Sequence, residues 1–124
     1  MYDKELVRDI LLQVRGAIET VQQRFVLVNS PDFFTNSPQG MEKLDSICMQ
    51  LIVIGESLKN LDKITDGKLL PRYPEIDWRG VKGMRDIISH HYFDIDAEAI
   101  YDVCDNKLKP LMQTIQKILQ ELEK

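Results

Sequence analysis

Apolar residues return every three or four positions through most of this chain, and that spacing confines it to α-helix. Leu6, Ile10, Val14, Ile18, Val21, Phe25 and Val28 make the first such stripe. It predicts a helix from about Asp3 to Val28, with Gly16 as a weak point inside it. Met41, Leu44, Cys48, Leu51, Ile52, Gly55 and Leu58 make the second, over about Met41 to Leu61. Ile47, Val53 and Ile54 broaden that second stripe, so it suits a central helix or one that also meets another subunit. Between the two lies a loop, Ser30 to Gly40, whose Phe33-Phe34 pair is expected to plug the end of a bundle.

A polar connection from Asp62 to Pro74 leaves room for one short turn around Leu69-Leu70. A third helix is expected to start near Glu75 to Asp77, turning Trp78, Val81, Met84 and Ile88 inward. The last begins at Asp96 as N-cap and carries Ile100, Val103, Leu108, Leu111, Ile115, Ile118 and Leu122. Pro110 falls inside that pattern and predicts a kink or break near Asn106, because it lacks an N–H and crowds the carbonyl four residues back. No strand alternation and no repeat stand out. The expectation is an all-α fold: a four-helix up-and-down bundle with one short extra helix at most, in a single domain over residues 1–124.

Composition limits the function. At 44% hydrophobic residues the chain can build a core, and its net charge of -4 disfavours general coating of nucleic acid. The charge is uneven. Lys68 to His91 holds five basic residues against three acids, a surplus of two, on an otherwise acidic body. Cys48 and Cys104 sit within apolar helical patterns and read as buried, reduced thiols. The charged start Met-Tyr-Asp-Lys-Glu has no signal-peptide character, and no apolar run approaches the ~18 residues of a membrane span. A soluble cytoplasmic protein without a membrane partner is expected.

The chemistry gathers in Met84 to Asp94, which contains both histidines of the chain, His90 and His91. Arg85 lies five residues before His90. On a continuous helix that separation is about 140° net, so the two side chains point to different sides. They converge on one ligand if the helix ends at or just before His90, or if a second subunit completes the site. With extended backbone after His90, His90 and Tyr92 project the same way. These types suit phosphodiester cleavage. Histidine moves protons near neutrality, arginine forks onto phosphate, and tyrosine donates a hydrogen bond or stacks. One histidine per subunit is a poor acid and base together; a symmetric dimer supplies two. Adjacent histidines diverge in a helix and do not make a zinc pair, and the chain has neither a phosphate-cradling Gly-rich loop nor Gly-x-Ser-x-Gly. Glu56, the one charge between Cys48 and Leu58, reads either as a solvated glutamate or as a partner for an arginine.

Arg85-Asp86-Ile87-Ile88-Ser89-His90-His91-Tyr92 resembles R-x-x-x-x-H-x-Y, the signature of HepT-like toxins of the HEPN superfamily. Ile54-Gly55-Glu56, Tyr73-Pro74-Glu75-Ile76-Asp77-Trp78, Gly83-Met84-Arg85 and Tyr92-Phe93-Asp94-Ile95-Asp96 are similar to further motifs of that family, in order. The resemblance spans roughly Met41 to Leu119. It implies a helical, dimeric, metal-independent ribonuclease toxin with a composite active site at the homodimer interface and no cofactor. By that resemblance Arg85 and His90 are the catalytic pair. Asp86 takes the polar position after the arginine, often Asn in the family, and adds a negative charge near the phosphate. Glu56 and His91 are accessory. Tyr92 matches the tyrosine to which an MntA-type nucleotidyltransferase antitoxin, the partner in a type VII system, attaches AMP. A different reading of the same residues is a non-catalytic helical module that binds nucleotide or carries a nucleotidyltransferase.

Overall fold

The computed structural model describes residues 2–90 and 96–124, and only the backbone of Ile87, Ser89 and His90. Every regular element among them is helical. Helix α1 is Lys4–Phe25, α2 is Pro38–Ile64, α3 is Trp78–Lys82, α4 is Met84–His90, α5 is Ala97–Asp102 and α6 is Leu108–Leu122. Short 3₁₀ turns stand at Pro31–Phe34 and Leu70–Arg72. No helix among the described residues is long and apolar enough to cross a membrane.

α1 starts one residue later than its stripe suggests, because Asp3 stays extended and its carboxylate accepts from the Glu5 and Leu6 amides. The inward face runs Val7, Ile10, Leu11, Val14, Ala17, Ile18 and Val21. Leu6, placed inside by spacing alone, is 44% exposed. Val7 takes its place, about 100° round the helix and in phase with the rest of the face. The helix stops at Phe25, yet Val28 is still buried, from the loop. Gly16 is exposed, and a Cβ built there meets nothing within 4 Å. Gly16→Ala therefore stabilises the fold by roughly 1 kcal/mol, the helix-propensity difference, readable as a higher urea midpoint at unchanged slope.

α2 begins earlier than expected, at Pro38, because Ser37 caps it: its hydroxyl accepts from the Gly40 amide, and Pro38 brings a helix-ready φ to the first turn. It is the central helix, packing against α1, the Pro31–Phe34 turn, α3 and α4. The plug expected of the two phenylalanines is half right. Phe34 is fully buried, whereas Phe33 is half-exposed and meets it edge to face at 6.5 Å. Arg24 near the end of α1 donates to the Ser46 carbonyl, and Lys43 donates to the Arg24 carbonyl, so the end of α1 lies beside the start of α2. Arg8 lies 3.8 Å from Glu123 just past α6, so α1 and α6 also run antiparallel.

The third helical pattern is two helices. Asp77 caps α3 by accepting from the Gly80 amide, and the chain turns at Gly83 before α4. A continuous helix was expected here; two glycines within four residues make this the cheapest place to bend. The last helix starts where its cap predicts: Asp96 accepts from the Glu98 and Ala99 amides. It bends where Pro110 predicts. Residues Val103–Lys107 form a π-helical turn, with the Leu108 amide reaching back to the Val103 carbonyl. Asn106, whose carbonyl Pro110 would crowd, lies in that turn. The added residue shifts the register, so Cys104 rather than Val103 is buried.

Both cysteines are buried free thiols. Burial, aided by Asp45, pushes Cys48 up to about 11. Burial, aided by Cys48 and Asp105, pushes Cys104 up to about 12. Tyr73 is also raised from 10.0, by burial and by its hydrogen bond to Glu121 at 3.0 Å. All three hold their protons in the folded state to higher pH than in the unfolded chain. Their stabilising effect is complete below about pH 9 and is lost as pH rises through the folded values. Thermal midpoints should fall steadily from pH 9 to 11; a flat profile would contradict this placement of the thiols.

Candidate active site

α4 meets α2 through a ladder of opposite charges. Arg85, in the first turn of α4, sets its Nε 2.7 Å from Oε1 of Glu56. Asp86 follows, with Oδ2 4.0 Å from Nζ of Lys59. One turn of α2 further on, Asp62 pairs with Lys82 at the end of α3. The order on α2 is acid, base, acid at positions 56, 59 and 62, and the α3–α4 corner answers with the complementary charges. Glu56 thus meets an arginine, the sharper of its two sequence readings. Lys59 was not singled out from sequence. Its signal is the Glu-x-x-Lys spacing, which puts both heads on one helix face, opposite the Arg-Asp pair.

Gly55 makes the approach possible. A Cβ there would stand 3.0 Å from the Val81 carbonyl oxygen, 3.4 Å from that of Lys82 and 3.8 Å from the Arg85 amide nitrogen. The bare backbone of α2 is what the α3–α4 corner rests on, and it brings Arg85 over Glu56. The side chains of Arg85 and Glu56 remain 49% and 45% exposed. An ion pair this wet contributes only ~0–1 kcal/mol to folding. Its consequence is to keep the guanidinium beside α2. Nη1 of Arg85 lies 3.7 Å from Asp86 Oδ1, beyond hydrogen-bond reach, so the contact with Glu56 is the closer of these two ion pairs.

The backbone of α4 is helical from Arg85 to His90, so the two α-carbons are separated by about 140° around one axis. His91 and Tyr92, and the motif Tyr92 to Ile95, lie outside the described residues. The other matched motifs have structural work. Trp78 Nε1 donates to the Tyr73 carbonyl at 2.8 Å, and the Tyr73 hydroxyl donates to Glu121. Lys117 lies over the Tyr73 ring at 5.6 Å and pairs with Glu75 at 3.6 Å. The segment before α3 is thereby fastened to α6, which anchors the corner that carries Arg85. A cleft of about 470 Å³ opens between α2, this segment and the π-helical turn, lined among others by Leu51, Ile54, Ile76, Val81, Met84 and Leu111. Arg85 and Glu56 are not part of its wall.

Fold and site together define an all-α bundle that presents a tethered, half-exposed arginine on a short helix. The Ribonuclease HepT-like family profile matches residues 15–118, and the chain belongs to that family. A protein of Methanocaldococcus jannaschii, provisionally named an RNase, is 35% identical over 78 residues, 63% of this chain and 61% of the relative. A second from that organism, named a gamma-glutamylcyclotransferase and provisionally an RNase, is 28% identical over 95% of this chain and 50% of its own length. A Thermococcus cleftensis protein, provisionally named ribonuclease HepT, is 27% identical over 90% of this chain and 94% of the relative. The chain thus spans about three fifths of the first relative and half of the second. No solved structure matches it significantly.

Proposed function

We propose that this chain is a metal-independent ribonuclease toxin of a type VII toxin–antitoxin pair. The observation that carries the reading is Arg85: half-exposed, tethered to Glu56, at the start of a helix whose seventh residue is His90, in a HepT-like chain. The RNA 2′-hydroxyl attacks phosphorus, the P–O2′ bond forms and the P–O5′ bond breaks. His90 takes the 2′ proton or supplies the one that the 5′ oxygen needs. Arg85 stabilises the negative charge that builds on the non-bridging oxygens. Asp86, Glu56 and His91 are accessory: the two acids temper the positive field, and His91 stands beside the proton carrier.

The active unit is a homodimer whose two copies supply two histidines to a composite site at their interface. Support comes from α2, where Met41 and Met49 are 44% and 58% exposed on the helix that also carries Glu56. A nucleotidyltransferase antitoxin of the MntA type silences the site by attaching AMP to Tyr92, placing charge and bulk two residues from His90. The test is RNA cleavage by the purified chain in excess chelator, with its mass in solution from light scattering. A dimer that cuts RNA and loses activity as His90→Ala is the expected result; a monomer, or a fully active His90→Ala, sinks the reading.

The net charge of -4 favours one other reading, a module that holds a nucleotide or carries a nucleotidyltransferase without cleaving RNA. Nucleotide binding seen by calorimetry, with no RNA cut over long incubation, would select it.

A further inference from the structure

We infer that Lys59 is the second phosphate-binding cation of the site: its ammonium takes the RNA phosphate next to the one that Arg85 takes, on the far side of Asp86. The inference rests on the ribonuclease reading of the site. Asp86 stands between two cations. Its Oδ1 lies 3.7 Å from Nη1 of Arg85, and its Oδ2 lies 4.0 Å from Nζ of Lys59. The two cationic heads are thus no further apart than two such contacts and the width of one carboxylate. A single strand repeats its charge at a step of that order. Both distances exceed hydrogen-bond reach, so Asp86 attracts the two cations without using up their N–H donors. Lysine has three such donors and binds phosphate as a point charge. One phosphate centred between the cations would fall on the Asp86 carboxylate and be repelled. Two phosphates straddling that carboxylate meet a cation each.

Lys59 is better placed for this than Lys82, whose contact with Asp62 leaves the two side chains only 28% and 25% exposed. The separation of Lys59 from Arg85 is set by packed helices. Lys59 is borne on α2 one turn after Gly55, and the α3–α4 corner that carries Arg85 and Asp86 rests on the bare backbone of that glycine. The arrangement also accounts for Asp86. A carboxylate beside the arginine weakens a phosphate site unless a cation offsets it, and Lys59 does so from the other helix. On a chain with a net charge of -4, attraction for a polyanion has to be local, and this is a place where two helices bring cations together.

Initial cleavage rates on a dinucleotide and a trinucleotide, both with unphosphorylated ends, test this. The dinucleotide has only the scissile phosphate; the trinucleotide adds its neighbour. Lys59→Ala folds normally, its ion pair being exposed. It should raise KM for the trinucleotide ~3–5-fold at unchanged kcat, the scale of one exposed charge pair that binds substrate and transition state alike. On the dinucleotide kcat/KM should change less than ~2-fold, because water and salt screen the uncompensated Asp86. Lys59→Arg should keep the trinucleotide KM. Lys63→Ala, the same charge change one turn further along α2, should leave the rates on both substrates as they are. Equal loss on both substrates would put Lys59 at the scissile phosphate. No loss on the trinucleotide, or the same loss in Lys63→Ala, would reduce it to part of the general field. Each of these overturns the inference. Binding of a labelled 2′-O-methyl oligonucleotide, which cannot be cut, adds a readout free of turnover. The slope of log affinity against log salt should become shallower by ~0.7 in Lys59→Ala, the share of one phosphate contact on a single strand. If the wild type binds this strand but cuts no RNA, the ribonuclease reading has failed, and the slope still decides the role of Lys59. If it cuts RNA and the slope does not move, only Lys59 has been misassigned.

Discussion

Arg85→Ala should lower kcat/KM for RNA cleavage by about a thousandfold, the scale seen when a donor to a developing oxyanion is removed. The loss is catalytic rather than structural. The side chain is half-exposed, its tether to Glu56 contributes little to folding, and the thermal midpoint should stay within a degree or two. Arg85→Lys is the sharper comparison. Lysine restores the charge but has no second nitrogen for a fork. It should recover only a small part of the activity. Kinetics with a defined oligoribonucleotide in chelator, beside melts of each variant, give the answer. An Arg85→Ala protein as active as the wild type would remove the arginine from the mechanism.

The largest stability effect belongs to a residue far from that site. In Gly40→Ala the new Cβ would fall 1.9 Å from the Phe33 carbonyl oxygen and 3.2 Å from the Phe34 carbonyl carbon. These are backbone atoms and cannot rotate away. The 3₁₀ turn would have to lift off the first turn of α2, pulling Phe34 from full burial and straining the Ser37 cap. Forced overpacking of this kind costs on the order of 3 kcal/mol, about 10 °C in the midpoint for a domain of this size. Gly16→Ala, the same substitution in open space, moves the opposite way. A Gly40→Ala protein as stable as the wild type would show that the turn is not seated as described.

That contrast shows where sequence reasoning reaches and where it stops. In sequence Gly16 lies inside a helical stripe and Gly40 closes the expected loop, and neither placement says what a side chain there would meet. What separates them is the atom standing opposite, which belongs to another element. The same holds for Leu6 and Val7. The apolar pattern admits either as the start of the inward face, and the helix phase picks Val7. Asp3, Ser37, Asp77 and Asp96, in contrast, cap helices through amides two or three residues away. Such local hydrogen bonds are legible without the fold. Of these caps, Asp96 is named from sequence outright, while Asp3 and Asp77 mark expected helix starts. Ser37 shows why α2 begins before its apolar stripe does.

The site divides in the same way. Its residue types and their order along the chain belong to the sequence. Arg85, His90 and Tyr92 stand in a spacing that resembles one family, and Glu56 stands in another of that family's motifs. By itself the sequence therefore determined the helical class, the starts of the first and last helical stretches to within a residue, the bend before Pro110 and the family. Only the tertiary structure decided that Glu56, twenty-nine residues before Arg85, is the carboxylate that holds it. It also decided that Lys59 answers Asp86, and that Gly55 is what lets the two helices come that close. The physical reason is range. Helix periodicity and capping act over three or four residues, whereas an ion pair between two helices exists only once both have packed and their rotation is set.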